Sequence, residues 1–197
     1  TRGGQENISA SQAILHGIAE DGGLFVPNSF PQYSYADLHE LAGCTYQERA
    51  ARIMADFLPE FSKEELESYA ALAYAPEKFE GGFPAPLSML QNGQVTMYLL
   101  ELWHGPTCAF KDMALQMLPY LLTGSLRKDG CGKKAVILVA TSGDTGKAAL
   151  EGFKDVDGVS IQVFYPESGV SDMQKRQMTT QEGGNVSVCA IQGNFDD

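Results

Sequence analysis

The spacing of apolar residues changes character near residue 76. Before it the spacing is helical, and residues 9–19 are predicted as a helix that stops at Glu20-Asp21-Gly22-Gly23. Three further helices are predicted, each preceded by two polar residues at capping-box spacing. These helices and their caps are 34–41 with Ser34 and Asp37, 49–58 with Thr45 and Glu48, and 66–74 with Ser62 and Glu65. This half therefore reads as a small helical lobe.

The second half alternates between strands and helices. Residues 95–102 form a nearly continuous apolar run, which predicts a buried strand. A helix follows from near Phe110 and is expected to kink or break at Pro119. The remaining elements are predicted as strands 135–141, 160–165 and 186–191, with helices 147–154 and 171–181 between them. Such alternation is typical of an α/β fold with a parallel sheet.

Residues 76–86, with three prolines and a Gly-Gly pair, are the best linker candidate. We therefore predict an N-terminal helical lobe over residues 1–86 and a partial α/β domain over residues 87–197, truncated at its C-terminal end.

Composition narrows the classes of partner. The 197 residues carry a net charge of −11 without a basic cluster, which argues against nucleic acid and anionic membranes as partners. The four cysteines are scattered and form no ligand pattern with the three histidines, so neither a metal site nor a disulfide framework is expected. No apolar run reaches transmembrane length. A reducing, cytoplasmic setting fits best.

The first chemical candidate is Lys111, which lies where a helix is predicted to begin after the break at His104-Gly105-Pro106. The positive end of the helix dipole disfavours a cation there, and its apolar flanks would desolvate it. Both effects lower the pKa of a lysine, and such a lysine can act as a nucleophile that forms a Schiff base. Alternatively, Lys111 is a surface lysine whose stem lies along apolar groups.

The second candidate is the loop Thr141-Ser142-Gly143-Asp144-Thr145-Gly146, between a predicted parallel strand and a helix. Ligands bind at this end of α/β sheets, and small residues at a helix N-terminus suit a carboxylate or a phosphate. The spacing does not fit a Walker A loop, and no GxGxxG motif is present. The alternative interpretation is a capped turn, with Asp144 or Ser142 as the cap.

Several segments together resemble the threonine synthase family, in the family's order. They are TRGG at the start, AILHGIAEDGGLFVP, HGPTCAFKD, ATSGDTGKAAL, YPESGVSDMQKRQMTTQ and GNFDD. The resemblance implies a fold of the tryptophan-synthase-β-like kind (fold type II) and pyridoxal 5'-phosphate as cofactor. It implies that Lys111 is the catalytic lysine that holds this cofactor. Asp144 would lie near the cofactor's ring hydroxyl, and His104 would lie near the cofactor.

The resemblance also implies that Thr141, Ser142, Gly143, Thr145 and Gly146 hold the substrate's α-carboxylate. Since an anionic Asp144 would repel that group, we expect its side chain to point away, to be paired or to be protonated. The expected reaction converts O-phosphohomoserine and water to threonine and phosphate. No segment resembles the family's cofactor-phosphate loop, so the 197 residues alone are expected to be inactive.

Two other functions stay open at this stage. One is a phospho-lyase on the same scaffold that releases 2-oxobutyrate. The other is a non-catalytic module that binds an anion or a partner chain through the 141–146 loop.

Overall fold

The computed structural model describes residues 1, 4, 7–130, 132–141 and 143–193. These residues form two compact units. The first contains residues 1–74 and 120–132, and the second contains residues 75–119 and 133–197. The units divide after Tyr74, whereas the domain boundary between residues 86 and 87 stays a prediction.

Four helices of the first unit each carry a complete capping box. They are α1 (Ala10–His16), α2 (Tyr35–Ala42), α3 (Tyr46–Ala55) and α4 (Lys63–Ala73), and the last three begin at their predicted caps. Helix α1 ends three residues earlier than predicted, because Gly17 takes a φ of 69° and Ile18 then bridges to Leu24. The prediction of a helix through residue 19 was wrong. A glycine reaches positive φ without strain, so it ended the helix before the acidic turn.

Helix α4 carries the core of this unit. Leu66, Ala70 and Ala73 are fully buried, and Tyr69 is nearly so. The Tyr69 ring lies 6.2 Å from that of Phe61, centroid to centroid, and its hydroxyl accepts a hydrogen bond from Arg127 at 2.7 Å. Aromatic packing and one charge-assisted hydrogen bond thus join α4 to residues 120–132 within the same unit.

The second unit begins with two 3₁₀ turns, Pro76–Lys78 and Glu80–Gly82, followed by an antiparallel hairpin. Its strands are β1 (Leu87–Asn92) and β2 (Val95–Leu100), and Gly93 in the turn has a φ of 61°. All six residues of β2 are exposed. The prediction that the apolar run 95–102 forms a buried strand was therefore wrong. In the described part of the chain β2 pairs with its sequence neighbour β1 and lies outside the central sheet.

Helix α5 (Asp112–Leu115) follows Lys111, and α6 (Leu118–Asp129) follows after a break just before Pro119. The break confirms the prediction for this proline, whose ring clashes with the preceding turn of a continuous helix. Lys111 itself caps α5 with helical torsion angles.

The central sheet is parallel, as predicted, with strand order β3–β4–β5. The strands are β3 (Ala135–Ala140), β4 (Val159–Pro166) and β5 (Val186–Ile191), with α7 (Asp144–Phe153) and α8 (Asp172–Thr179) in the crossovers. Ile161 and Val163 of β4 are buried, as are Leu150 and Phe153 of α7. On the opposite face Val136 and Leu138 of β3 are about two-thirds exposed. The core therefore lies on the α7 side of the sheet.

Among the described residues, no helix has both the length and the apolar character needed to cross a membrane. Within the same residues, no group of three or more His, Cys, Asp and Glu side chains could hold a metal ion.

Candidate active site

Two helix starts lie side by side in the second unit. Helix α5 begins just after Lys111, and α7 begins at Asp144, directly after β3 and its loop. The two helices pack closely because Gly152 of α7 has no side chain. A Cβ at this position would overlap the backbone carbonyl oxygen of Leu115 in α5. The glycine thus allows Lys111 and Asp144, which are 33 positions apart in the chain, to come into contact.

The ammonium group of Lys111 donates a hydrogen bond to Asp144. The Nζ–Oδ2 distance is 3.0 Å, and the side chains are 25% and 51% exposed. The same nitrogen lies 4.3 Å from the centroid of the Phe110 ring, within cation–π range. Lys111 is therefore neither fully buried nor free in solvent. It contacts an anion and an aromatic face.

The hydrogen bond from Lys111 is the main cause that lowers the pKa of Asp144, and the backbone N–H groups of Asp144 and Thr145 lower it further. Ionised Asp144 at the start of α7 also complements the helix dipole. Of the three arrangements expected for this carboxylate, the structure shows the paired one. Its charge is thereby neutralised by Lys111.

The loop before α7 is organised around the hydroxyl of Thr141, which is 3% exposed. Its Oγ1 accepts hydrogen bonds from the backbone N–H groups of Gly143 at 3.1 Å and Gly146 at 3.0 Å. Gly146 is tightly enclosed, since an added Cβ would overlap Thr141 Cγ2 and lie 3.0 Å from Val163 Cγ1. These two N–H groups therefore fix the shape of the loop. Ser142, also predicted to bind the substrate, lies outside the described residues.

Gln174 was predicted only as the partner of a helix cap, and that cap is present. Its backbone N–H donates to Ser171 Oγ at 3.3 Å. Its side chain also fills the space that a Cβ on Gly143 would need. The sequence signal for this contact was limited to the capping spacing. Gln174 thus lies against the 141–146 loop, a position that the sequence did not predict.

His104 follows β2, the second strand of the hairpin. Its Nε2 is 2.6 Å from Glu101 Oε2, its Nδ1 is 3.6 Å from Glu80 Oε2, and its ring stacks on Trp103. The pKa of Glu101 is lowered by a hydrogen bond from Ser88 and, next, by the one from His104. This setting gives His104 a structural task, and its predicted cofactor role stays a prediction.

Comparisons with known proteins agree with one another. Residues 1–74 match the family model described as threonine synthase N terminus. The chain is 41% identical over its whole length to the threonine synthase of Pseudomonas aeruginosa, of which it covers 41%. A PLP-bound threonine synthase structure from Brucella melitensis aligns with 96% of this chain at 38% identity and a TM-score of 0.83. The alignment covers 39% of that structure's chain. The yeast threonine synthase structure matches at 34% identity and a TM-score of 0.88, over 98% of this chain and 40% of that one.

These similarities define the class of protein to which the chain belongs. It is an α/β protein whose solved neighbours are fold-type II enzymes, as the sequence predicted. The chain belongs to the threonine synthase family. It spans about two-fifths of the length of the threonine synthases that it matches and about a quarter of the length of its threonine synthase-like 1 relatives.

Proposed function

We propose that this chain supplies the reactive lysine and the carboxylate-binding loop of a pyridoxal-phosphate-dependent threonine synthase. The observation that carries the proposal is the position of Lys111, 3.0 Å from Asp144 at the start of α7. A primary amine here lies next to the carboxyl end of β3, where α/β sheets bind ligands. The whole enzyme would convert O-phosphohomoserine and water to threonine and phosphate.

The residues present fit the cofactor. The aldehyde of pyridoxal phosphate requires a primary amine that it can reach, and the Lys111 side chain is 25% exposed. The anionic groups of cofactor and substrate require positive charge nearby, which the N-terminus of α7 provides. When bound, the cofactor supplies an electron sink for charge at the substrate's α carbon.

Lys111 has two tasks in this proposal. It binds the cofactor through its Nζ, and once that nitrogen is released it moves protons at the α and β carbons of the substrate. Asp144 holds the ammonium group in place before the cofactor arrives. The same nitrogen must bond the cofactor, so the contact with Asp144 has to be released before Lys111 can react.

The 141–146 loop binds and orients the substrate in this proposal. Thr141 keeps the loop in shape through its bonds to Gly143 and Gly146. The N-terminal end of α7, with Thr145 in its first turn, presents positive partial charge to the α-carboxylate. Ser142, Gly143 and Gly146 complete the proposed carboxylate site.

The test is a borohydride trap on the intact protein that contains this chain. Protein mixed with pyridoxal phosphate is reduced, and the modified lysine is mapped by peptide mass. Label is expected on Lys111 among the nine lysines, and Lys111→Ala should abolish both label and turnover. Lys147→Ala is the matched control, since Lys147 lies in α7, the helix that begins at Asp144, and bonds Gln181. It should keep the Lys111 label.

Product analysis with O-phosphohomoserine completes the test. Threonine supports the proposed reaction, whereas 2-oxobutyrate identifies a phospho-lyase on the same scaffold. If Lys111→Ala left cofactor binding and turnover unchanged, the enzyme assignment would be wrong and a non-catalytic binding module would explain the chain better.

A further inference from the structure

A buried carboxylate lies immediately after Lys111. Asp112 is fully buried, and both of its oxygens accept hydrogen bonds from one residue. Oδ2 accepts from the backbone N–H of Thr107 at 2.9 Å, and Oδ1 accepts from its hydroxyl at 2.7 Å. Buried carboxylates are rare unless paired, because a carboxylate that loses water without gaining hydrogen-bond donors is strongly destabilising. The two bonds therefore fasten the segment before Lys111 to the residue after it.

The turn that carries Thr107 is shaped to reach this carboxylate. Cys108 N–H donates to Gly105 O at 3.0 Å, which closes a turn with Pro106 at its second position. Gly105 lies directly against Asp112, since an added Cβ would be 2.7 Å from Asp112 Cβ. Only glycine allows this approach, so the turn and the start of α5 are packed as one piece.

Lys111 is enclosed by these bonds on both sides. Asp112 N–H donates to Ala109 O at 3.0 Å, and Leu115 N–H donates to Lys111 O at 2.9 Å. The backbone of Lys111 takes φ −64° and ψ −22° between them. The direction in which its side chain leaves the backbone is therefore set by the Thr107–Asp112 contact, although neither residue has to touch the cofactor.

We propose that Thr107 and Asp112 are positioning residues for Lys111. The inference rests on the proposed function, and it adds that this buried pair sets the affinity of Lys111 for pyridoxal phosphate. Loss of the Thr107 hydroxyl leaves Asp112 Oδ1 without its donor and relaxes the backbone at Lys111. The reacting nitrogen then samples more positions, and fewer of them suit the cofactor.

Thr107→Val and Thr107→Ser form a matched pair on the intact protein. Valine keeps the shape but removes the hydroxyl, while serine keeps the hydroxyl. The readouts are the dissociation constant of pyridoxal phosphate, from absorbance titration, and the yield of borohydride-trapped label on Lys111. Thr107→Val should weaken binding about tenfold, or about 1.4 kcal/mol, with a matching fall in label. Thr107→Ser should stay within about twofold of the parent protein.

Ile161→Val controls for stability, since Ile161 is buried in β4 and its truncation lowers the melting temperature without touching this turn. Wild-type affinity in Thr107→Val would overturn the positioning role, as would an equal loss of affinity in Ile161→Val. Absence of label on Lys111 in the parent protein would instead overturn the proposed function, and the positioning role with it.

Discussion

Gly152→Ala tests whether the spacing of α5 and α7 controls the Lys111–Asp144 contact. The new Cβ would lie 3.0 Å from the carbonyl carbon of Leu115 and would overlap its oxygen. Carbon atoms prefer about 3.5–4.0 Å, so the helices must separate by roughly 0.5–1 Å. Leu115 and Lys111 are one helical turn apart in α5, so the displacement reaches the lysine.

Overpacking and helix propensity act in opposite directions on the free energy of unfolding of Gly152→Ala. Overpacking costs about 1–3 kcal/mol. Alanine recovers about 1 kcal/mol through its higher helix propensity. A net loss of about 0–2 kcal/mol follows, which lowers the melting temperature of a chain of this size by up to about 8 °C.

Two measurements on the same protein separate the effect on global stability from the effect on the Lys111–Asp144 contact. Thermal unfolding followed by circular dichroism gives the stability. A carboxyl NMR titration gives the pKa of Asp144, which should rise toward the ordinary aspartate value of about 3.9 as Lys111 moves away.

Gly158→Ala is the matched control, because an added Cβ there meets no atom within 4 Å while a φ of +73° makes alanine strained. It should destabilise the fold but leave the pKa of Asp144 unchanged. A more stable Gly152→Ala protein with an unchanged Asp144 pKa would refute the reasoning.

Two further predictions concern carboxylates. Lys111→Ala should raise the pKa of Asp144, whose folded-state value lies below the unfolded one of about 3.9. The pair therefore stabilises the fold above that pH, and this stabilisation is lost as the pH falls through the folded-state pKa. The free energies of unfolding of the parent protein and of Lys111→Ala should thus converge in acid. A difference between them that does not change with pH would contradict a stabilising Lys111–Asp144 pair. His104→Ala should raise the pKa of Glu101 only partly, because Ser88 still donates to it. A carboxyl titration shows this, and an unchanged value would mean that His104 contributes nothing there.

Local signals made much of the fold predictable. Ser34, Thr45 and Ser62 each cap a helix through a hydrogen bond from the third helical residue, so a few neighbouring residues were enough to predict where these helices begin. The β3–α7–β4–α8–β5 order followed from the change in hydrophobic period. The hairpin was missed although Asn92-Gly93 is a strong turn signal, because the apolar run after it suggested burial.

The site depends on contacts that no local pattern contains. Lys111 and Asp144 could be identified as candidates one by one. Their meeting, however, rests on Gly152, whose partner Leu115 lies 37 positions away in the chain. Asp112 was overlooked because a charged residue at a helix start is usually exposed. Its burial becomes understandable only once Thr107 is seen to satisfy both of its oxygens.

The enclosure of Gly146 by Thr141 has an evolutionary consequence. The methyl group of Thr141 occupies the space that a side chain at position 146 would need, whereas its hydroxyl bonds the backbone of the same residue. Thr141→Ser keeps the hydroxyl and removes the methyl, so it should make a later Gly146→Ala less harmful. The reverse order passes through a protein with the full clash. Mutational histories at these two positions should therefore be ordered, with serine at 141 preceding any alanine at 146.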